Sequence, residues 1–514
     1  MERTSWRRGR LRGAAVVLAG LALAAPIMTV PAQAAVQSPA QGPTVQLIVA
    51  QKTISLQRFG SLVFFDPGVW VASLGSALQF DVQRVTYSRP VTITQVIHRP
   101  GGGTRTVALP RSVLDGFNGL RNFLGLTVRN SHGQVVKRAR IGFCPDTFDP
   151  ERASPDSPPK SAYPQQCAAF DPFQKATVWG VTKGWAVDPF ENFGRPYRLA
   201  LGTYHVTVVI NHPYLRLLGI SPRHATASVT VTVVRPTSPF GTRRAPAAPL
   251  PSLPRNVPQL ASAPAAALPD LVPLPSWGIS TSHMGRLDLL NFGATVWIGG
   301  TSPLDVEGFR SNGSPVMKAY QYFWRNGHVI GRMRAGTMGF DSAKGHNHWH
   351  FEQFAEYRLL TSAKGLAVRS HKVGFCIAPS DGVDLLLPHA VWQPNSIGFF
   401  GQCGSPTALW VQEYLPVGWG DTYFQSVAGQ SFNITSLPNG TYYIEVIANP
   451  LRVLHESNVN NDVSLRRVIL GGTPGHRTVR VPAWHGIDPE NGAPTGPAPP
   501  PIPGPSPSPS GSLG

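Results

Sequence analysis

The chain contains two stretches that repeat the same short landmarks in the same order. Each VW, GFC, Cys, GW or GTY element of the first stretch recurs between 227 and 238 residues later. The pairs are Trp70 with Trp297, Cys144 with Cys376, Cys167 with Cys403, Trp185 with Trp419, and Gly202 with Gly440. A nearly constant offset over five landmarks indicates an internal duplication. We therefore expect two similar domains, at 43–235 and 269–475.

Both repeats are rich in short runs that are typical of β-strands. Residues 202–210 (GTYHVTVVI), 227–234 (ASVTVTVV) and 440–448 (GTYYIEVIA) are β-branched or alternate apolar with polar residues, and turn-forming residues bound them. Helical periodicity is weak along the whole chain. The pattern predicts an all-β protein built from two duplicated β-sandwich-like domains.

Two segments lack the periodicity of either a strand or a helix. Residues 236–268 are rich in Pro, Ala and Ser, and residues 490–514 end in PPPIPGPSPSPSGSLG. Such compositions are typical of linkers and disordered segments. We expect a Pro/Ala-rich linker between the domains and a Pro/Ser-rich disordered tail, neither with a packed core.

The N-terminus has the layout of a secretory signal. Five arginines precede the apolar run AAVVLAGLALAAPIMTV and then PAQAA, with cleavage expected after Ala34. Arg7 and Arg8 form a twin-arginine pair, so both the Sec and the Tat routes stay open. No later stretch reaches the roughly 18 uninterrupted apolar residues of a spanning helix. The mature chain is therefore expected to be secreted and to have no transmembrane segment.

The mature chain stays strongly basic. Removing residues 1–34 takes five basic and one acidic residue from the 45 and 27 of the whole chain, which leaves 40 and 26 and a net charge of +14. Outside a cell such a charge favours anionic partners such as a cell-wall polymer, and a solubilising charge with no particular partner is the alternative. No aromatic-interleaved basic patch points to nucleic acid.

Four cysteines in an exported chain predict two disulfides, although spacing alone allows three pairings. The duplication selects one of them, because each repeat then closes its own bridge. The expected bridges are Cys144 with Cys167 and Cys376 with Cys403.

Three histidines alternate along the second repeat, in the segment AKGHNHWHFEQF. A spacing of two places His346, His348 and His350 on one face of a strand. Converging neutral imidazoles suit copper or zinc, while a histidine-lined surface strand without metal is the alternative. The HxHxH pattern by itself fixes neither the metal nor a redox role.

The text around the histidines resembles the lysyl oxidase family. The segments GHNHWHFEQFAEYRLL and HKVGFC, and the run from GWGDTYFQSV to ESNVNND, occur in the family's order between Pro269 and Asp462. The ordered set is more specific than any single motif.

This resemblance implies the cofactors and the site residues. His346, His348 and His350 match the copper ligands, and Lys372 and Tyr423 match the residues that form lysine tyrosylquinone. Copper(II) beside a phenolate drives its oxidation by dioxygen to an ortho-quinone, to which a neutral lysine amine adds. The implied activity is oxidative deamination of primary amines, in particular peptidyl lysine in a protein substrate, to an aldehyde with release of hydrogen peroxide and ammonia. The alternative is an extracellular copper- or zinc-binding envelope protein without oxidase activity.

The sequence also departs from the animal members of that family. Gly345 and Trp419 stand where those members carry cysteines, and Glu356 stands at a further family histidine. If the histidine strand continues, Glu352 and Glu356 share the face of the histidines. Glu352, Glu356 and Asp421 are all candidates for the catalytic base, and the sequence does not choose among them.

The first repeat lacks the site residues. Counted back from the GFC cysteine, Leu114, Gly116, Asn118 and Arg140 stand at the positions of the three histidines and the lysine. The segment GWAVDPF, which matches GWGDTYF, has no tyrosine. We expect this copy to be non-catalytic and either to pack against the second domain or to bind something else.

Overall fold

A computed structural model gives the fold of the chain. It describes residues 44–49, 51–99, 102–148, 150–154, 157–158, 160–190, 196–235, 257–310, 315–341, 348–372, 374–394, 403–404, 408, 410–427 and 429–491. The predicted signal segment, residues 236–256 of the predicted linker, His346 and the tail from residue 492 onward lie outside these residues. Below, the N-terminal half denotes described residues 44–235, and the C-terminal half denotes described residues 257–491.

The N-terminal half is built from β-strands and one short helix, α1 (His212–Leu217). The strands are β1 (Val45–Val49), β2 (Thr53–Phe59), β3 (Leu62–Phe64), β4 (Val69–Ser73), β5 (Leu78–Gln83), β6 (Thr92–His98), β7 (Thr104–Leu109), β8 (Leu120–Asn130), β9 (Val135–Phe143), β10 (Glu151–Arg152), β11 (Ala176–Val181), β12 (Trp185–Val187), β13 (Pro196–Arg198), β14 (Gly202–Ile210) and β15 (Thr226–Val234). Single 3₁₀ turns lie at Arg111–Val113 and Pro222–His224.

The C-terminal half consists of strands with one 3₁₀ turn at Ala265–Ala267. The strands are β16 (Leu271–Pro273), β17 (Trp277–Met284), β18 (Leu287–Ile298), β19 (Leu304–Arg310), β20 (Val316–Arg325), β21 (His328–Asp341), β22 (His348–Phe351), β23 (Ala355–Thr361), β24 (Leu366–Arg369), β25 (Asp381–Gly382), β26 (Trp410–Leu415), β27 (Trp419–Tyr423), β28 (Ser431–Asn433), β29 (Gly440–Ala448), β30 (Val463–Thr473) and β31 (His476–Arg480).

Alternation of apolar and polar residues accounts for these strands. In β15 the side chains of Ala227, Val229, Val231 and Val233 are buried, while the threonines and the serine between them face outward. Successive side chains of a strand point to opposite faces of its sheet, so one face packs on the core and the other meets solvent. β-Branched residues also favour the extended backbone.

The two halves share one topology. The strand order β1-β4-β12-β10 of the N-terminal half recurs as β16-β18-β27-β25, and β11-β5-β6-β7 recurs as β26-β19-β20-β21, to which β22 is added. The order β15-β14-β8-β9, part of a seven-stranded sheet, recurs as β30-β29-β23-β24. Each half encloses its own hydrophobic core. The prediction of an all-β protein with two duplicated β-sandwich-like domains is confirmed.

The disulfides follow the duplication. Cys144 is bonded to Cys167, and Cys376 is bonded to Cys403, so each half closes one internal bridge. This confirms the pairing that the repeat selects. The helix α1 has six residues, and no helix in the described part of the chain is long and apolar enough to cross a membrane.

The two halves pack against each other within one compact unit. A small apolar cluster joins Phe173 of the N-terminal half to Leu274, Trp297 and Val383 of the C-terminal half. Backbone hydrogen bonds cross the same interface, where the amides of residues 175 and 176 donate to the Val383 carbonyl. The packed chain also extends past the predicted domain end at residue 475, since β31 pairs with β30.

Candidate functional site

The histidine segment forms a short strand at the edge of a five-stranded sheet. In β22, His348 lies opposite Asp341 of β21, and His350 lies opposite Gly339. Trp349, between the histidines, is fully buried and points into the core. The two imidazoles therefore lie on the other face, with ring centroids 4.7 Å apart. The predicted third member, His346, lies outside the described residues.

Asp341 is a site residue that sequence reasoning missed. Its carboxylate lies 3.7 Å from Nδ1 of His350, within ion-pair range. A carboxylate beside one ring nitrogen orients the imidazole and fixes its tautomer, as around many metal-bound histidines. The sequence gives no local signal for this role, because it depends on the register of the β21–β22 hairpin.

These donors suit a copper or a zinc ion. Two imidazoles on one strand face, one of them beside a carboxylate, are the nitrogen and oxygen donors that suit copper or zinc. The described residues alone do not complete a group of three metal-binding side chains. The predicted set therefore needs His346 as its third member.

Lys372 and Tyr423 meet in the interior of the C-terminal half. Only 6% of Lys372 and 5% of Tyr423 is exposed. The Lys372 Nζ lies 4.3 Å from the centroid of the Tyr423 ring and 5.0 Å from that of Phe375. Ser370 positions the lysine, because its hydroxyl accepts the Lys372 N–H (3.1 Å) and donates to the Gly429 carbonyl (2.7 Å).

The disulfide-linked segment fixes the tyrosine hydroxyl. The Tyr423 Oη accepts a hydrogen bond from the Cys376 N–H (2.7 Å) and donates to the Cys376 carbonyl (3.2 Å). The ring of Phe375 packs edge-on against the Tyr423 ring at 5.2 Å. The same segment lies alongside the histidine strand, since Phe351 and Phe375 exchange backbone hydrogen bonds of 2.8 and 3.0 Å.

A glycine allows this close approach. A Cβ at Gly374 would lie 2.8 Å from the Cβ of His350, a distance that real Cβ atoms essentially never show. The backbone between Lys372 and Cys376 can therefore lie directly against His350. For this reason the imidazoles and the lysine–tyrosine pair of the candidate site are neighbours.

Burial shifts the ionisable groups toward their neutral forms. Burial lowers the pKa of Lys372 to about 8, and the nearby Asp421 and Asp341 oppose that shift. Burial raises the pKa of Tyr423 well above its ordinary value, and the charges of Asp421 and Glu413 add to this. A substantial fraction of neutral lysine amine is therefore present at mildly alkaline pH.

The three candidate bases occupy different surroundings. The buried Asp421 interacts with Lys372, and burial raises its pKa well above the ordinary value. Glu356 is held by Arg358 (2.9 Å) and Arg369 (3.0 Å). Among the three carboxylates, Asp421 is the one placed beside the lysine–tyrosine pair.

Of the two glutamates expected on the histidine face, Glu352 lies there and Glu356 does not. β22 ends at Phe351, and a turn separates it from β23. Glu352 is exposed in that turn and accepts a hydrogen bond from the Thr337 hydroxyl (2.7 Å). A Cβ on Gly339, the strand partner of His350, would lie 2.7 Å from Oε1 of Glu352, so the Glu352 carboxylate lies on the histidine face. Because the turn then breaks the period of two, Glu356 does not continue the row of histidines.

The described residues of the N-terminal half have no histidine group like that of β22. The positions expected to match the histidines were, however, wrong by one residue. Leu120 pairs with Phe143 as Phe351 pairs with Phe375, so Gly119, and not Asn118, matches His350. Gly119 has a φ of +130°, and a Cβ there would lie 2.4 Å from the Phe143 carbonyl oxygen. No ligand side chain fits at that position.

The N-terminal half is nevertheless linked, through Asp381, to the strand that carries Tyr423. Backbone amides of Phe170 and Asp171 donate to the Asp381 carboxylate at 2.6 and 3.2 Å. The same carboxylate accepts a hydrogen bond from the Thr422 hydroxyl (2.5 Å). Thr422 lies between Asp421 and Tyr423, so a turn of the N-terminal half is linked through one carboxylate to the candidate site.

Comparisons with known proteins relate the C-terminal half to one family. Residues 317–475 match the sequence model of the lysyl oxidase family, a range that includes all five predicted site residues. Lysyl oxidase homolog 4 of Mus musculus is 28% identical over 133 residues, which are 26% of this chain and 16% of that protein. Lysyl oxidase homolog 4 of Homo sapiens is 29% identical over 119 residues, or 23% and 14% of the two chains. Lysyl oxidase homolog 2 of Xenopus tropicalis is 26% identical over 139 residues, or 27% and 16%. The chain thus matches about a sixth of the length of these relatives.

Proposed function

Because the C-terminal region of this chain carries a lysyl oxidase family domain, we propose that the protein oxidises primary amines with copper and a lysine tyrosylquinone. The reaction takes a primary amine, dioxygen and water to an aldehyde, ammonia and hydrogen peroxide. Peptidyl lysine is the proposed substrate. The observation that carries the proposal is the buried Lys372 amine, 4.3 Å from the centre of the Tyr423 ring.

The chain's own residues supply the conditions for building this cofactor. His346, His348 and His350 are the proposed copper ligands, with Asp341 orienting His350. Copper and the quinone, when bound, supply the oxidation of the amine by dioxygen. Cys376 holds the Tyr423 hydroxyl through two hydrogen bonds, so the ring keeps one orientation toward Lys372. A fixed ring and a nearby amine favour reaction between them over reaction with external amines.

Asp421 is the proposed proton acceptor of the site. It is almost fully buried, and burial raises its pKa well above that of an exposed carboxyl. A carboxylate whose pKa is raised in this way is a stronger base, as general-base catalysis near neutral pH requires. Its electrostatic interaction with Lys372 supports this role.

The two disulfides and the signal-like N-terminus support a secreted location. Disulfides form and persist in oxidising compartments, which include the extracellular space. We propose that the protein acts outside the cell, on lysines of a protein or peptide.

Redox-cycling quinone staining of the copper-loaded protein tests the proposal. The wild type should stain, whereas Tyr423→Phe and Lys372→Met should not. Tyr442→Phe is the matched control, because Tyr442 is also a buried strand tyrosine whose hydroxyl bonds a backbone carbonyl, that of Pro438. It should stain like the wild type.

The outcomes separate two functions. A folded wild type that binds copper but does not stain would contradict the oxidase and favour the metal-binding envelope protein. Staining that survives in Tyr423→Phe would exclude Tyr423 as the source of the quinone. Peroxide release with a lysine-containing peptide, absent in both site variants, would then support peptidyl lysine as substrate.

A further inference from the structure

The seven-stranded sheet of the N-terminal half is cationic and lacks carboxylates. Its strands β13, β3, β2, β15, β14, β8 and β9 contain six arginines and one lysine, but no Asp or Glu. Arg129, Arg138 and Arg140 are exposed, and none forms an ion pair within the part of the chain that the structure describes. Arg121, at the start of β8, is already paired with Asp115 (3.4 Å).

The arginines adjoin rows of hydroxyl groups on the outer face of this sheet. The strand register places side chains of four successive strands side by side, about 4.8 Å apart from strand to strand. One row is Arg138, Thr127, Thr207 and Ser228, and the next is Arg129, His205, Thr230 and Thr53. All eight side chains are exposed or half-buried. The face is therefore flat, polar and positively charged.

Two arginines on the matching face of the C-terminal half have carboxylate partners. There Glu356 bonds Arg358 and Arg369, and Arg358 also approaches Glu445 at 3.8 Å. The internal duplication thus provides a reference in which two arginines of this sheet, Arg358 and Arg369, have carboxylate partners.

The N-terminal copy keeps an arginine and lacks both carboxylates. Thr207 occupies the position of Glu445, because both strands begin with Gly-Thr-Tyr and pair in the same way. By the same register Gly125 takes the place of Glu356, and Arg138 takes that of Arg369. A face with arginines and no carboxylate at these positions is therefore specific to the non-catalytic copy.

We propose that this face binds an anionic polysaccharide and so anchors the enzyme to a polymer. Guanidinium groups donate paired hydrogen bonds to carboxylate, sulfate or phosphate groups, and threonine hydroxyls both donate to and accept from sugar hydroxyls. Apart from the imidazole of His205, the two rows contain no aromatic side chain on which nucleic-acid bases would stack. They also contain no large apolar side chain that would enter a bilayer.

Binding of the full-length protein to dextran sulfate tests this surface. The wild type should bind dextran sulfate and not neutral dextran, with an affinity that falls as salt rises. The variant Arg129→Gln/Arg138→Gln/Arg140→Gln should bind at least tenfold more weakly. The matched control Arg325→Gln/Arg467→Gln/Arg480→Gln removes the same charge from exposed arginines of the C-terminal half and should stay within twofold of the wild type.

A single substitution gives a second, independent measurement. Thr207→Glu introduces the carboxylate that the C-terminal copy has at this position, and it should weaken dextran sulfate binding severalfold while the fold is kept. Equal losses in the face variant and the control variant would overturn the proposal, since net charge alone would then explain binding. Tighter binding to polyglutamate, single-stranded RNA or anionic lipid vesicles than to dextran sulfate would also overturn it.

Discussion

Replacing Lys372 by Met should stabilise the copper-free protein, because burial makes the charged ammonium unfavourable. Burial lowers the pKa of Lys372 from 10.5 to about 8, with Asp421 and Asp341 opposing the shift. One pKa unit corresponds to about 1.4 kcal/mol, so the ionised lysine destabilises the fold by about 3 kcal/mol at pH 7. Methionine has a similar length and would pack against the rings of Phe375 and Tyr423.

The pH dependence tests this account more sharply than the stability itself. The folded-state pKa lies below the unfolded-state value, so the unfolded chain binds more protons between pH 8 and 10.5. Wild-type stability should rise through that window, and the advantage of Lys372→Met should shrink by about 1 kcal/mol between pH 7 and 9. Urea unfolding of both proteins at the two pH values measures the difference.

An exposed lysine provides the control. Lys318→Met, on the outer side of β20, should change stability by the same small amount at both pH values. If the advantage of Lys372→Met did not vary with pH, the argument from a buried amine would be refuted.

Three further perturbations test the site and its support. His348→Ala should lower both bound copper, measured by atomic absorption, and quinone staining, whereas unchanged copper would exclude this site. Asp421→Asn should slow peroxide release with a lysyl peptide by about 100-fold or more at unchanged copper content, and a loss under tenfold would place the base elsewhere. Asp381→Asn should lower the free energy of unfolding by about 2 kcal/mol, because it weakens the hydrogen bonds from Phe170 and Asp171, and a thermal midpoint equal to that of the wild type would contradict this support.

The repeated architecture could be predicted because its signals are local. Alternation in segments such as β15 predicts strands, and the landmark pairs predict two copies with one disulfide each. The structure confirms the all-β fold and both bridges. Strand length and pairing could not be predicted, because they depend on contacts between residues far apart in the sequence. The short β22 and the turn at Glu352 are of this kind.

Parts of the site could not be predicted for the same reason. Asp341 belongs to the site through the hairpin register that places it opposite His348. Asp381 matters through amides of residues 170 and 171, more than 200 positions away. The alignment of Asn118 with His350 failed because the two copies differ in length by one residue. The segment from Leu120 to its strand partner Phe143 is one residue shorter than the segment from Phe351 to its partner Phe375. Counting from one landmark cannot detect such a difference.

The burial of Lys372, which destabilises the fold, also raises the fraction of its nucleophilic neutral amine. With a pKa of about 8, about one lysine in ten is a neutral amine at pH 7, whereas an exposed lysine with a pKa of 10.5 has about one in three thousand. The interior therefore raises the concentration of the nucleophilic form about 300-fold. Moving Lys372 to the surface would recover the lost stability and remove both that gain and the 4.3 Å approach to Tyr423. Stability and cofactor assembly make opposite demands on this residue, so a buried lysine beside a buried tyrosine is better explained by chemistry than by packing.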